Sequence, residues 1–140
     1  MIALDPTNAF DARVDNRLRS DEVDWLVTMD PDGTPKSSLV WFLWDGVDSL
    51  LIYSQPAPKI RNIAAQPRVA FHLNSDADGT NLITFSGVAR LDEAHPKIAD
   101  FAPYLDKYRP VIDRVGYVVE QFSAEYSQPI IVNLKTLRGF

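Results

Sequence analysis

The chain has 140 residues, 46% hydrophobic and 24% charged, which is the composition of one globular domain and not of a disordered segment. Fourteen basic against nineteen acidic residues leave a formal charge of −5, and a pI near 4.9 argues against a generic nucleic-acid binder. Cysteine is absent, which excludes disulfides, thiolate metal sites and cysteine nucleophiles; no apolar run reaches the roughly 20 residues of a membrane helix. The acidic start is unlike a secretory signal, so the expectation is a cytoplasmic protein of one domain, residues 1–140, with a small-molecule partner.

Residues 1–20 read as a helix, because Phe10, Val14 and Leu18 recur at i, i+4 and i+8 and Asp5-Pro6-Thr7 offers a start. Residues 24–140 read as a barrel built from short β-rich runs. Asp24–Met29 is a predicted strand closed by the turn Asp30-Pro31-Asp32-Gly33, Lys36–Trp44 is a second and Ser49–Ser54 a third. Pro56 and Pro58 then interrupt the β pattern, and Lys59–Ala65 is a short helix stopped by Pro67. Strands at Arg68–Asn74 and Leu82–Leu91 follow, the latter with a bulge or bend at Gly87. Helices are expected at Pro96–Tyr108 and Ile112–Tyr126, and a last strand at Pro129–Leu137. Six mainly antiparallel strands with flanking helices predict a mainly β, α+β fold closed into a small barrel.

The second strand is anomalous. Leu39-Val40-Trp41-Phe42-Leu43-Trp44 is apolar at every position, whereas a strand with one solvated face alternates. Both of its faces are therefore covered: one by the barrel core, the other by a helix, a partner subunit or a flat apolar ligand.

Charge is also uneven. No acid occurs between Asp48 and Asp76, and that window holds Lys59, Arg61, Arg68 and His72. Lys59 and Arg61 fall in the first turn of the predicted short helix, where cations oppose the helix dipole unless an anion sits there; the bland reading is two solvated surface cations. Ser54, the two prolines and Asn62 surround this pair. Other chemistry finds no support: His72 and His95 lack metal-ligand spacing, Asp76-Ala77-Asp78-Gly79 is a turn and not a calcium loop, and neither a phosphate loop nor a nucleophile elbow occurs. Any enzyme here relies on a cofactor, and no side chain stands out as catalytic.

The stretch YSQPAPKIRNIAAQPRVAFHL resembles the flavin-phosphate segment of the pyridoxamine 5′-phosphate oxidase-like superfamily, the FMN-binding split β-barrel proteins. More narrowly it resembles the branch that uses the deazaflavin coenzyme F420. GTPKSSLVWFLWDGVDSLLIYS fits that branch's second and third strands, and EYSQPIIVNLKTLRGF is similar to the last strand of an actinobacterial subgroup. The resemblance implies a six-stranded antiparallel split barrel working as a homodimer, with cofactors at the subunit interface. It places the tricycle along Ser38, Leu39 and Val40, and the phosphate on Ser54, Lys59 and Arg61. Ile60 and Asn62 would shape that turn, and Lys36 and Trp41 would approach the cofactor side chain and ring edge. Where true pyridoxamine phosphate oxidases carry an arginine and a lysine that help bind FMN phosphate, this chain has Ser38 and Leu43, which disfavours FMN. The implied activity is hydride transfer from reduced coenzyme F420 to an electron-poor small molecule, a quinone or conjugated carbonyl. The alternatives are an FMN- or FAD-dependent oxidoreductase of the same fold, or a dimeric carrier of deazaflavin, heme or another flat ligand.

Overall fold

The computed structural model describes residues 1–140. Helix α1 spans Ala9–Ser20; its cap is Asn8, whose side chain accepts from the Asp11 N–H, so the helix starts later than Asp5. Val14 and Leu18 are fully buried against the barrel, and Phe10 packs at its edge.

Seven strands form one antiparallel sheet: β1 (Asp24–Met29), β2 (Pro35–Val40), β3 (Leu43–Trp44), β4 (Ser49–Ser54), β5 (Arg68–His72), β6 (Ile83–Leu91) and β7 (Gln128–Gly139). Their order is β2-β1-β5-β6-β7-β4-β3. The predicted strand Lys36–Trp44 is thus two strands, not one, and they lie at opposite ends of the sheet. Only Trp41 and Phe42 join them, so the two ends stand within roughly 11 Å of each other, the reach of three extended residues. The sheet must curl, and the result is a split barrel.

The side chains of Val40, Phe42 and Trp44 enter the barrel core with Leu26, Ile52, Phe71 and Val132. Trp41 and Leu43 face outward, against a second apolar cluster supplied by α3 (Ala102–Arg114) and α4 (Val119–Glu125). Trp41 stacks on Tyr108 at 4.9 Å and on Phe122 at 5.0 Å between ring centroids. Of the three covers open to the apolar run, the chain's own helices take Trp41 and Leu43, while Leu39 remains 51% exposed.

At the strand switch the backbone of Phe42 is served by side chains. Its N–H donates to the Tyr108 hydroxyl at 2.8 Å, and its carbonyl accepts from Lys107 Nζ at 2.8 Å. The Tyr108 hydroxyl donates in turn to the Glu22 carbonyl at 2.7 Å. Burial holds Lys107 down at about 8, and its ammonium lies over the Phe42 ring, 4.2 Å from the centroid.

The helices differ from expectation. The expected helices leave a gap between Tyr108 and Ile112, yet α3 continues through Pro110 to Arg114; α4 is confined to Val119–Glu125, and only a short 3-10 turn, Ile98–Asp100, precedes α3. Pro110 and Asp106 sit on the exposed face, where solvent has access to the Asp106 carbonyl that a proline nitrogen cannot serve. The actual break is Gly116, whose φ of +86° suits glycine. The irregularity expected at Gly87 is present: β6–β7 pairing slips between Ser86 and Gly87, and a Cβ at Gly87 would lie 2.6 Å from the Asn133 carbonyl oxygen. No helix is long and apolar enough to cross a membrane.

Replacing Tyr108 by Phe leaves the buried Phe42 N–H and the Glu22 carbonyl without their partner. The expected loss is about 1–3 kcal/mol of stability, read as a lower midpoint in urea denaturation.

Candidate functional site

Two hollows meet at the loop between β4 and α2 (Pro58–Ala65). The first is a cavity of about 410 Å³ between β2, the end of β4 and the α3–α4 pair, walled by Leu39, Trp41, Tyr53, Tyr104, Tyr117, Phe122 and Tyr126. The second is a cleft of about 420 Å³ at the barrel mouth, lined by Thr28, Asp30, Lys36, Ser38, Lys59, Arg61 and Asn62. Ala57 and Lys59 line both. Ala57 sits between Pro56 and Pro58 in extended conformation, φ −144° and ψ 162°, as the residue before a proline must.

Strand alternation explains how β2 serves both hollows. Lys36 and Ser38 pair with Thr28 and Leu26 of β1 and share the barrel-facing side, so they reach the mouth. Leu39 and Trp41 point the other way, toward the helices.

The wall of the first hollow is a stack of flat rings. Phe122 lies 4.4 Å from Tyr126 and Tyr53 meets Tyr104 edge-on at 4.9 Å. Burial pushes the Tyr53 phenol up to about 12 and raises Tyr104 as well. These tyrosines stay protonated at neutral pH, and the Tyr53 hydroxyl donates to the Pro96 carbonyl at 2.7 Å.

The polar cleft holds three cations and one acid. Lys36 Nζ lies 3.6 Å from Asp30 Oδ2. Asn62, almost fully buried, donates from Nδ2 to Asp30 Oδ1 at 3.0 Å and toward Thr28 Oγ1 at 3.3 Å, and its Oδ1 has no partner within the chain. Lys59 and Arg61 take part in none of the five ion pairs. Burial pulls the Lys59 ammonium below the ordinary lysine range. A half-buried cation without a counterion beside an open cleft is the chemistry of an anion site.

Of the residues singled out from the sequence, Lys36, Ser38, Lys59, Arg61 and Asn62 gather at the polar cleft. Leu39, Val40, Trp41, Ser54 and again Lys59 border the aromatic cavity. Ile60 borders neither; it packs against the barrel core and fixes the first turn of α2. Ser54 is buried, with its hydroxyl donating to the Gln55 carbonyl at 2.7 Å. Leu43 faces a different hollow beside Arg90 and His95, so of the two positions where oxidases carry cations only Ser38 bears on this cleft. Sequence reasoning missed the wall formed by Tyr53, Tyr104, Tyr117, Phe122 and Tyr126. Tyrosine at five positions of an otherwise ordinary chain was its only signal.

A family model described as pyridoxamine 5′-phosphate oxidase matches residues 10–129, well over half of the chain. The chain belongs to this family. No curated protein matches its sequence. Among solved structures, an F420 reductase is 24% identical with a TM-score of 0.66, covering 89% of this chain and 94% of that one. A putative pyridoxamine 5′-phosphate oxidase from Listeria innocua is 20% identical with a TM-score of 0.66, over 94% and 97%. A heme storage protein from Vibrio cholerae is 17% identical with a TM-score of 0.63, over 99% and 95%. At these identities the likeness is one of fold, a fold shared by a reductase and a heme storage protein alike.

Removing the desolvated charge in Lys59→Met is expected to stabilise the ligand-free protein at neutral pH, by about 0.5–2 kcal/mol. Because the folded-state pKa of Lys59 is lowered, its penalty is complete below that value. Between it and the ordinary 10.5 the unfolded chain holds more protons than the folded one, so wild-type stability rises with pH. The advantage of the variant should therefore shrink as pH climbs through that window, followed by thermal melts from pH 7 to 10.5.

Proposed function

We propose that this member of the family is a coenzyme F420-dependent reductase acting on an electron-poor small molecule, a quinone or conjugated carbonyl. The observation that carries the reading is the adjacent pair of hollows: one apolar and aromatic, one cationic, sharing Lys59 and Ala57 as their common wall. A flat ring with a phosphate-bearing chain has the same two chemistries at its two ends. When bound, the reduced deazaflavin supplies a hydride to the acceptor.

The chain's own residues then have definable tasks. Leu39 of β2 and Trp41 just beyond it back the ring, with Val40 between them turning its side chain into the barrel core, and the tyrosine wall keeps water from the acceptor. Lys59 and Arg61 grip the phosphate, with Ser54 and Asn62 fixing the loop and the first turn of α2 around it. Lys36 meets the polar chain. No side chain is assigned as proton donor. The working form is a homodimer, in which the half-exposed Leu39 and the unpaired outer edge of β2 meet the second subunit; its place is the cytoplasm. A monomeric mass in light scattering at micromolar concentration would overturn the assembly.

Two observations weigh on the alternatives. FMN carries a phosphomonoester dianion, yet the strand position for an arginine is Ser38 and the nearby Lys36 is partly neutralised by Asp30. His72 packs near Trp25 and His95 against Phe101, so no histidine reaches either hollow to ligate a heme iron.

Calorimetric titration of the ligand-free protein should show coenzyme F420 binding at least about tenfold tighter than FMN, a gap of about 1.4 kcal/mol. Lys59→Ala should weaken F420 binding about ten- to a hundredfold, the worth of a charge-assisted contact. Arg68→Ala, an exposed cation at the start of β5, should bind almost as wild type does. FMN binding as tight as F420 would replace the deazaflavin reading with the flavin one, and equal losses at Lys59 and Arg68 would leave only diffuse attraction.

A further inference from the structure

An acid inside a cleft that is otherwise cationic needs an explanation. Asp30 is not a solvated loop residue: Oδ1 accepts from buried Asn62 and Oδ2 faces Lys36. Its backbone is fixed as well, the N–H donating to the Thr34 carbonyl and the carbonyl accepting from Gly33, both at 2.9 Å. The carboxylate is therefore held in place in the wall that also presents Lys36, Lys59 and Arg61. If the task were only to hold the Asn62 amide, a neutral acceptor would serve, and Thr28 Oγ1 already lies 3.3 Å from the same nitrogen.

We infer that Asp30 sets the charge of the phosphate this cleft accepts, favouring the single negative charge of a phosphodiester over the double charge of a phosphomonoester. The inference rests on the reading of the polar cleft as a phosphate site. Attraction to the local field grows in proportion to ligand charge. The cost of withdrawing an ion from water grows as the square of its charge, so each field strength has a preferred charge. Three cations alone would draw in a dianion; one fixed carboxylate lowers the field and moves the optimum toward a monoanion. An ion entering the cleft gives up part of its water, since Asn62 on the wall is almost fully buried and Lys59 half-buried.

The test uses three ligands that share the deazaflavin ring and ribityl chain. One ends in a free hydroxyl, one in a methyl phosphodiester with one negative charge, and one in a phosphomonoester that carries close to two at pH 8. Each is titrated calorimetrically into wild type and into Asp30→Asn, which keeps an acceptor for Asn62; melting curves confirm folding. The added field acts in proportion to charge, so the gain for the monoester should be the square of the gain for the diester. About threefold for the diester implies about tenfold for the monoester and no change for the hydroxyl form. Asp30→Ser, neutral and smaller, should show the same charge dependence should Asp30→Asn fold poorly. Equal gains for all three ligands, or no gain for either phosphate, would overturn the inference and make Asp30 a structural residue. If wild type binds the phosphodiester no better than the hydroxyl form, or Lys59→Ala weakens neither phosphate, the phosphate-site reading itself falls, and the inference with it.

Discussion

The barrel depends on a single transfer of the chain from one end of the sheet to the other at Trp41 and Phe42. A strand that leaves its sheet in the interior exposes backbone groups that must find partners elsewhere. Here the partners are the Tyr108 hydroxyl and the Lys107 ammonium, so the closure of the barrel and the docking of α3 are one event. The same transfer decides where functional side chains go. It leaves Lys36 and Ser38 at the barrel mouth, turns Leu39 and Trp41 toward the helices, and brings Tyr104 of α3, Phe122 of α4 and the flanking Tyr117 and Tyr126 opposite them.

Much of the barrel was legible in the sequence because its strands have one buried and one solvated face. The β1 limits and the alternation of Val69, Phe71 and Leu73 follow from a period of two, whereas β4, buried at nearly every position, was bounded by the proline that follows it. The division of Lys36–Trp44 was not legible, because an unbroken apolar run says that both faces are covered but not which strand lies alongside. Pro110 misled for a different reason: a proline on the exposed side of a helix leaves a carbonyl that water can satisfy, so it need not end the helix. The glycine six residues on, with its positive φ, was the stronger signal.

The candidate site divides in the same way. Its cationic half is nearly continuous in sequence, from Ser54 to Asn62, and two cations in an acid-free window of an acidic chain stand out. Its aromatic half is assembled from residues as far apart as Leu39 and Tyr126. Buried tyrosines in a helix look like core until the opposite wall is known. Asp30 belongs to neither pattern: in the sequence it is the first residue of a turn, and only the ion pair with Lys36 and the hydrogen bond from Asn62 bring it into the cleft.

The loop that divides the two hollows carries a further consequence. Ala57 has a proline on each side, so few backbone conformations are open to it in any state of the chain. A recognition loop of free glycines and serines loses entropy when it closes on a ligand, and that loss subtracts from affinity. This one has little freedom left to lose. Its stiffness also fixes the separation between the aromatic wall and the cations, making the loop a ruler for the length of the molecule that can bridge them. Ligands whose ring and anionic group are joined by a shorter or longer linker would have to give up one end to satisfy the other.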